Sequence, residues 1–436
     1  MNRDLYQKLL AWRVSERRKP LILRGARQVG KTYLLTSFAE AEYANFIYLN
    51  FEQNKEISGF FQKNLVPERI LRDLALLLNQ KIEPHNTLII FDEIQECPEA
   101  LNSLKYFYEQ ANDYHIVAAG SLLGVKLART QGFPVGKVNF LDLYPLCFFE
   151  FLSALNREPL RAMLSEITQP ELISEPIHNQ LIELLKLYMF IGGMPEAVQL
   201  YLAKQDLRAV RDVHKEILDA YVLDFAKHAP AAEVMKITSI WELIPSQLAK
   251  ENRKFIFTAI SKSARAREYE SAIQWLADAR LIYKCYHISK PAIPLESYTD
   301  KKVFKVFLLD VGLLAALAGV PPTIILEGNK LFTEFKGALT ENFVAQELVT
   351  KSGGNLYYWT STGTAEIDFV QPYELNLYPL EVKSGISKHK KSLMSYAQKY
   401  SPPVLSRASL LNLLRNGEVC NYPLYLVSRF PELCSG

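Results

Sequence analysis

The 436-residue chain has no apolar run of about eighteen residues or more, which excludes a membrane-spanning helix. Its five cysteines, Cys97, Cys147, Cys285, Cys420 and Cys434, are odd in number, scattered, and without a C-x-x-C pair. That scarcity argues against a disulfide framework or a zinc site and leads us to expect a reducing, cytoplasmic setting. The opening Met1-Asn2-Arg3-Asp4-Leu5 has no apolar signal core and puts an acid where a basic region belongs. No repeat or low-complexity tract interrupts the chain. Fifty Lys and Arg against 47 Asp and Glu leave a net charge of +3, so any nucleic-acid signal must be local. The 23 Tyr and 23 Phe supply core-forming bulk, and the length predicts about two to four domains.

Near the N-terminus stands Gly25-Ala26-Arg27-Gln28-Val29-Gly30-Lys31-Thr32, a complete G-x-x-x-x-G-K-[ST] pattern. The apolar run Pro20-Leu21-Ile22-Leu23 precedes it, and an amphipathic helical pattern starting at Tyr33 follows. Strand, glycine loop and helix is the context in which backbone N–H groups and a helix N-terminus cradle phosphates. Residues 25–33 are therefore the expected ATP-binding segment, with Lys31 on the β- and γ-phosphates and the Thr32 hydroxyl on Mg2+. A second run, Thr87-Leu88-Ile89-Ile90-Phe91, ends in Asp92-Glu93 and reads as a strand buried on both faces. Carboxylates at that end sit where ligands bind in open α/β sheets. Asp92 is expected to hold Mg2+ and Glu93 to polarise the attacking water. His115–Ala119 predicts a further strand, with Ser121 at its tip directed at the γ-phosphate or the water, and Phe46–Phe51 another, with Glu52 at its end. The alternation with helical stretches such as 101–111 predicts a parallel sheet.

The segments "KPLILRGARQVGKTYLL", "LIIFDEIQECPEALNSLKYFYEQ", "HIVAAGSLLGV" and "FPVGKVNFLDLYPLCFFEFL" resemble the prokaryotic AAA-type ATPases that carry a C-terminal domain of unknown function. Ile191–Ala197 ("IGGMPEA") and Phe307–Leu313 ("FLLDVGL") continue the resemblance over nearly the whole chain. It implies an α/β multidomain protein: a P-loop NTPase core, AAA-like with a parallel sheet, a helical and winged-helix middle, and a restriction-endonuclease-like α/β end. It also implies ATP binding and hydrolysis. The boundaries we expect are 1–158, 159–230, 231–325 and 326–436. AAA-type enzymes complete their site with an arginine from a neighbouring subunit, which makes a homo-oligomer a candidate state. Arg129 is the candidate for that role. The segment "FPVGKV" carries Lys137 where relatives, as we align them, have Arg, and a lysine makes no bidentate contact.

In the middle, the Gly192-Gly193 pair predicts a helix end, with a new helix after Pro195. Residues 236–290 read as three helices and then a strand from Leu281, a winged-helix order, with Ser261 or Ser263 as the N-cap of the third. That window holds ten Lys or Arg against five acids, among them Lys262, Arg265 and Arg267 where a recognition helix would begin. DNA is thus a candidate partner; a packing module with a solvated charged face is the alternative.

Toward the C-terminus a helix bearing Glu341 precedes strands at 356–359, 365–370 and 378–383. Asp368 followed by Glu381-x-Lys383 is the constellation of restriction-endonuclease-like nucleases. There Glu341, Asp368 and Glu381 would hold Mg2+ while Lys383 stabilises negative charge on the phosphate. From Glu381 onward eight Lys or Arg face three Glu, including Lys388, Lys390 and Lys391 beside His389. Two whole-protein readings follow. One is an ATPase that drives a nuclease-like, DNA-binding module; the other is an ATP-dependent switch or scaffold whose nuclease-like domain is catalytically inactive.

Overall fold

The computed structural model describes residues 1–127, 136–249, 254–260, 265–321, 323, 336–385 and 391–434. The chain divides into two compact units, Met1–Tyr144 with Asp278–Arg280, and Pro145–Ala277 with Leu281–Gly436.

The first unit is built on five strands: β1 (Leu21–Arg24), β2 (Asn45–Asn50), β3 (Thr87–Asp92), β4 (His115–Gly120) and β5 (Asn139–Asp142). Their order is β2-β3-β4-β1-β5 and every pairing is parallel, as the sequence pattern predicts. Each residue of β3 and β4 is buried, so both sheet faces are covered, which is why these strands read as unbroken apolar runs. The helices are α1 (Leu5–Val14), α2 (Lys31–Glu42), α3 (Gly59–Gln62), α4 (Pro67–Leu78), α5 (Pro98–Gln110) and α6 (Leu123–Leu127). Prolines at the first position of α4 and α5 give up an N–H that would lack a partner there anyway. Phe51, Phe61, Phe91 and Phe107 interlock edge to face under the sheet.

The second unit opens with helices α7 (Phe148–Ala154), α8 (Glu158–Glu166), α9 (Glu175–Ile191), α10 (Pro195–Lys204), α11 (Leu207–His228), α12 (Ala231–Leu248) and α13 (Ala266–Asp278). The break between α9 and α10 falls at the glycine pair. Gly192 has φ +73°, and a Cβ on Gly193 would lie 2.0 Å from the Leu146 carbonyl oxygen. Strands β6 (Ile282–Ile288) and β7 (Thr299–Leu308) form an antiparallel hairpin, followed by α14 (Val311–Leu317) and α15 (Lys336–Ser352). Next come β8 (Leu356–Thr360), β9 (Glu366–Ile367), β10 (Phe369–Tyr373), β11 (Asn376–Val382), α16 (Lys391–Tyr400), β12 (Leu405–Ser409), β13 (Leu414–Asn416) and β14 (Val419–Pro423). They make two mixed sheets, β7-β6-β8-β9 and β10-β11-β12-β14-β13.

Two local expectations change here, and a third falls partly outside the described residues. Between α12 and α13 the described residues hold a 3-10 turn at Phe257–Ala259, while Ser261, Lys262 and Ser263 lie outside them. The hairpin is not a free wing, because β6 also pairs in parallel with β8. Residues 365–370 split at Asp368, where the chain leaves one sheet for the other. The cysteine expectation is corrected: Cys420 on β14 and Cys434 are joined in a disulfide, because the turns at Leu424–Arg429 and Glu432–Cys434 fold the chain back onto that strand. Cys97, Cys147 and Cys285 are free and buried.

Candidate functional site

In the first unit β1 runs straight into the glycine loop. A Cβ on Gly25 would meet the Leu143 carbonyl oxygen at 2.4 Å, so only glycine lets the loop start this close to the chain after β5. Gln28 and Gly30 both have positive φ, and Gly30 in the left-handed region immediately precedes α2. Arg3, itself buried, braces the loop by donating to the Val29 carbonyl at 3.0 Å. Residues 26–30 thus turn tightly onto the N-terminus of a twelve-residue helix, a concave anion site.

Lys31 is buried and its Nζ donates to the carbonyls of Ala26 (2.8 Å) and Gly25 (3.1 Å). Burial pulls its pKa down to about 8, although the nearby Glu93 and Asp92 carboxylates resist that shift. The Thr32 hydroxyl donates to Asp92 Oδ2 at 2.8 Å. Asp92, buried at the end of β3, also accepts from the Tyr48 hydroxyl at 2.6 Å and from the Glu93 N–H at 3.0 Å. Glu93 has φ +49°, a turn that separates its side chain from the strand ladder. Its Oε2 accepts from the Gln95 amide and lies 3.5 Å from the Ser121 hydroxyl. Because β4 lies between β1 and β3, Ser121 at its end stands between the glycine loop and the acidic pair.

The structure therefore brings Lys31, Thr32, Asp92, Glu93 and Ser121 into one cluster, with Gly25, Ala26, Arg27, Gln28, Val29 and Gly30 as its backbone. Tyr33 is mostly exposed on α2, and Glu52 is exposed beyond β2. Arg129 lies outside the described residues; Lys137 pairs with Glu109 at 3.1 Å. Tyr48 and Gln95 escape sequence reasoning. Tyr48 reaches Asp92 only because β2 pairs with β3 in the register that sets Asn50 beside Asp92. A Cβ on Gly120 would lie 2.0 Å from Gln95 Oε1, so that glycine makes room for the amide holding Glu93.

The C-terminal candidates gather differently. Lys383 Nζ lies 2.9 Å from Glu381 Oε1, consistent with a shared strand face. Burial raises the Glu381 carboxyl pKa; Lys383 and Arg407, its register partner on β12, oppose that shift. Asp368 Oδ2 accepts from the Val382 N–H at 2.7 Å. Glu341 and Asp368 do converge, but on Lys305 of β7: its Nζ lies 3.8 Å from Glu341 Oε2, 3.8 Å from Asp368 Oδ1, and in contact with Glu366 Oε1. Among the described residues no group of three His, Cys, Asp or Glu side chains is arranged to hold a metal ion. The one signal for Lys305 in the sequence was a lysine inside the apolar strand Val303-Phe304-Lys305-Val306-Phe307.

Comparison with known proteins divides the chain in three. Residues 17–152 match the model of an AAA domain, residues 182–323 a domain of unknown function (DUF8612), and residues 336–424 another domain of unknown function (DUF4143). No curated protein matches the sequence. Among solved structures, the Walker-type ATPase PABY2304 of Pyrococcus abyssi is 16% identical, with 72% of this chain and 95% of that one covered and a TM-score of 0.44. The Aeropyrum pernix Orc1 protein in complex with DNA is 14% identical over 74% and 92%, TM-score 0.30. AMPPCP-bound DnaA from Aquifex aeolicus is 15% identical over 63% and 85%, TM-score 0.26. Likenesses of this size add nothing to the family match. Residues 17–152 and the all-parallel sheet around the glycine loop identify the first unit as an AAA-type P-loop ATPase domain.

Proposed function

We propose that the protein is a Mg2+-dependent ATPase whose nucleotide cycle acts on a nuclease-like, DNA-binding C-terminal module, and that it works in the cytoplasm as a homo-oligomer. The observation that carries the reading is the Thr32–Asp92 hydrogen bond beside Glu93. A hydroxyl and a carboxylate in contact are the hard oxygen donors that Mg2+ takes alongside phosphate oxygens, so the residues present fit the ion. Bound there, it would neutralise charge on the transferring phosphoryl oxygens. The backbone N–H groups of residues 26–30 and the Lys31 ammonium hold the phosphates. Glu93, with Oε2 fixed by Gln95 and Ser121, orients the attacking water and accepts its proton. Exposed Arg265 and Arg267 at the start of α13 support contact with a phosphate backbone; Lys388, His389 and Lys390 lie outside the described residues.

ATP turnover measured with and without DNA tests engine and coupling together. Stimulation by DNA, abolished by Lys31→Ala, is expected; unchanged nucleotide affinity and turnover in Lys31→Ala would refute the reading.

One observation favours the second reading, an ATP-dependent switch with an inert nuclease-like domain: the Lys305 ammonium stands among Glu341, Glu366 and Asp368. Plasmid DNA incubated with Mg2+ or Mn2+, with and without ATP, separates the two. Cleavage that Asp368→Ala abolishes excludes the switch.

A further inference from the structure

The geometry points to Lys305 as a tethered cation that permanently fills the metal position of the C-terminal carboxylate nest, making the module one that binds without metal chemistry. This rests on the nuclease-like reading of that nest. The Lys305 side chain is 1% exposed, and its ammonium touches Glu366 while facing Glu341 and Asp368 at 3.8 Å each. The Tyr358 ring lies 4.9 Å from Nζ and adds a fourth cation-stabilising surface. A buried ammonium persists only where carboxylates compensate it, and three carboxylates surround this one.

The same contacts exclude a second cation. A divalent ion held at about 2 Å by Glu341 Oε2 or Asp368 Oδ1 would lie no more than about 6 Å from Nζ. With Lys305 1%, Glu341 5% and Asp368 13% exposed, that repulsion is screened less than in bulk water. Glu381, the remaining acid of the constellation, is paired with Lys383 at 2.9 Å. Lys305 is also hard to displace. It lies on β7, opposite the buried Cys285 of β6, in a stretch whose residues are all buried from Phe304 to Leu308. Strand pairing therefore delivers the charge, and no loop movement is needed to put it there.

Mn2+ binding to the full-length, nucleotide-free protein, counted from the electron paramagnetic resonance of the free ion, tests the assignment. The wild type is expected to show no site that depends on Asp368. Lys305→Met, which keeps the length and loses the charge, should gain one site at least about tenfold tighter than any wild-type binding. That site should vanish when Asp368→Asn is added. Lys305→Arg, which keeps the charge, should gain none. An Asp368-dependent Mn2+ site in the wild type overturns the tethered cation and leaves the nuclease-like reading standing. A folded Lys305→Met protein, verified by circular dichroism, that gains no site overturns both. Should Lys305→Met fail to fold, the wild-type and Lys305→Arg titrations still decide, since a site in either is incompatible with the assignment.

Discussion

The hydroxyl of Thr32, at the start of α2, donates to Oδ2 of Asp92, at the end of β3, across 60 residues of sequence. Tyr48 donates to the same oxygen. Asp92 is thus oriented from two sides, by the helix that follows the phosphate loop and by the neighbouring strand. A carboxylate held by such partners loses metal affinity when one is removed, typically by about tenfold or more. Tyr48→Phe should therefore raise the Mg2+ concentration needed for half-maximal ATP turnover by about tenfold. Asp92→Asn should abolish Mg2+-dependent turnover. Titrating Mg2+ at saturating ATP measures both, and a Tyr48→Phe enzyme with unchanged Mg2+ dependence would remove Tyr48 from the site.

Glu93 is placed for a different duty. Its carboxylate is steered by Gln95 and Ser121, whereas Lys31 donates to the Gly25 and Ala26 carbonyls and Thr32 to Asp92. Glu93→Gln should keep ATP affinity and lose turnover by on the order of a hundredfold or more, the scale of a lost general base. Ser121→Ala should give a smaller loss in the same direction. Equilibrium binding of a fluorescent ATP analogue, set beside steady-state hydrolysis, separates the two effects. Parallel loss of binding and turnover would assign Glu93 to nucleotide binding instead.

Lys31 supplies a pH dependence. Burial holds its pKa at about 8, whereas a phosphate beside the ammonium favours the charged form. Binding near pH 7 then needs almost no proton, since Lys31 is already charged. Above pH 8 the free protein has lost that proton and must take it back on binding. ATP affinity should therefore fall as pH rises beyond 8, approaching about tenfold per pH unit well above it. Calorimetric titrations at pH 7 and pH 9, in buffers of different ionisation heat, should show proton uptake only at the higher pH. Equal uptake at both would show that Lys31 is not the titrating group.

What the sequence made legible follows from the range of the contacts. The glycine loop and the buried strand ending in Asp92-Glu93 are local patterns, and a parallel sheet follows from their alternation with helices. Tyr48 was hidden because its role depends on β2–β3 register, which no local pattern encodes. Lys305 was hidden for a related reason: it lies 36 residues before Glu341 in sequence, and it meets Asp368 and Glu366 only through the β6–β8 pairing. Glu341, Asp368, Glu381 and Lys383 are all visible as residue types at a suggestive spacing. Spacing cannot say whether a metal or a lysine will neutralise them. The Cys420–Cys434 contact escaped because it depends on the chain's return through two short turns.

The motifs "IGGMPEA" and "FLLDVGL" meet at Asp310, which is fully buried at the N-cap of α14. Its Oδ2 accepts from the Gly193 N–H at 2.6 Å and its Oδ1 from the Leu313 N–H at 2.9 Å. A Cβ on Gly192 would lie 2.1 Å from that Oδ1, so Gly192 makes room for the carboxyl, while Gly193 makes room for the Leu146 backbone. Burial pushes the Asp310 pKa up to about 6 against these hydrogen bonds. In the unfolded chain the same group titrates near 4, so between about pH 4 and pH 6 the folded protein binds more protons. The stability this provides is complete below the unfolded value and is lost as pH rises through 6, by up to about 3 kcal/mol. Asp310→Asn removes the titration, whatever constant penalty its amide imposes by facing one of the two N–H donors. The stability difference between wild type and Asp310→Asn, read from urea unfolding of the second unit, should therefore shift toward the variant between pH 4.5 and pH 7. A difference that stays constant over that range would mean that Asp310 is already ionised in the folded protein at pH 4.5, with its hydrogen bonds outweighing its burial.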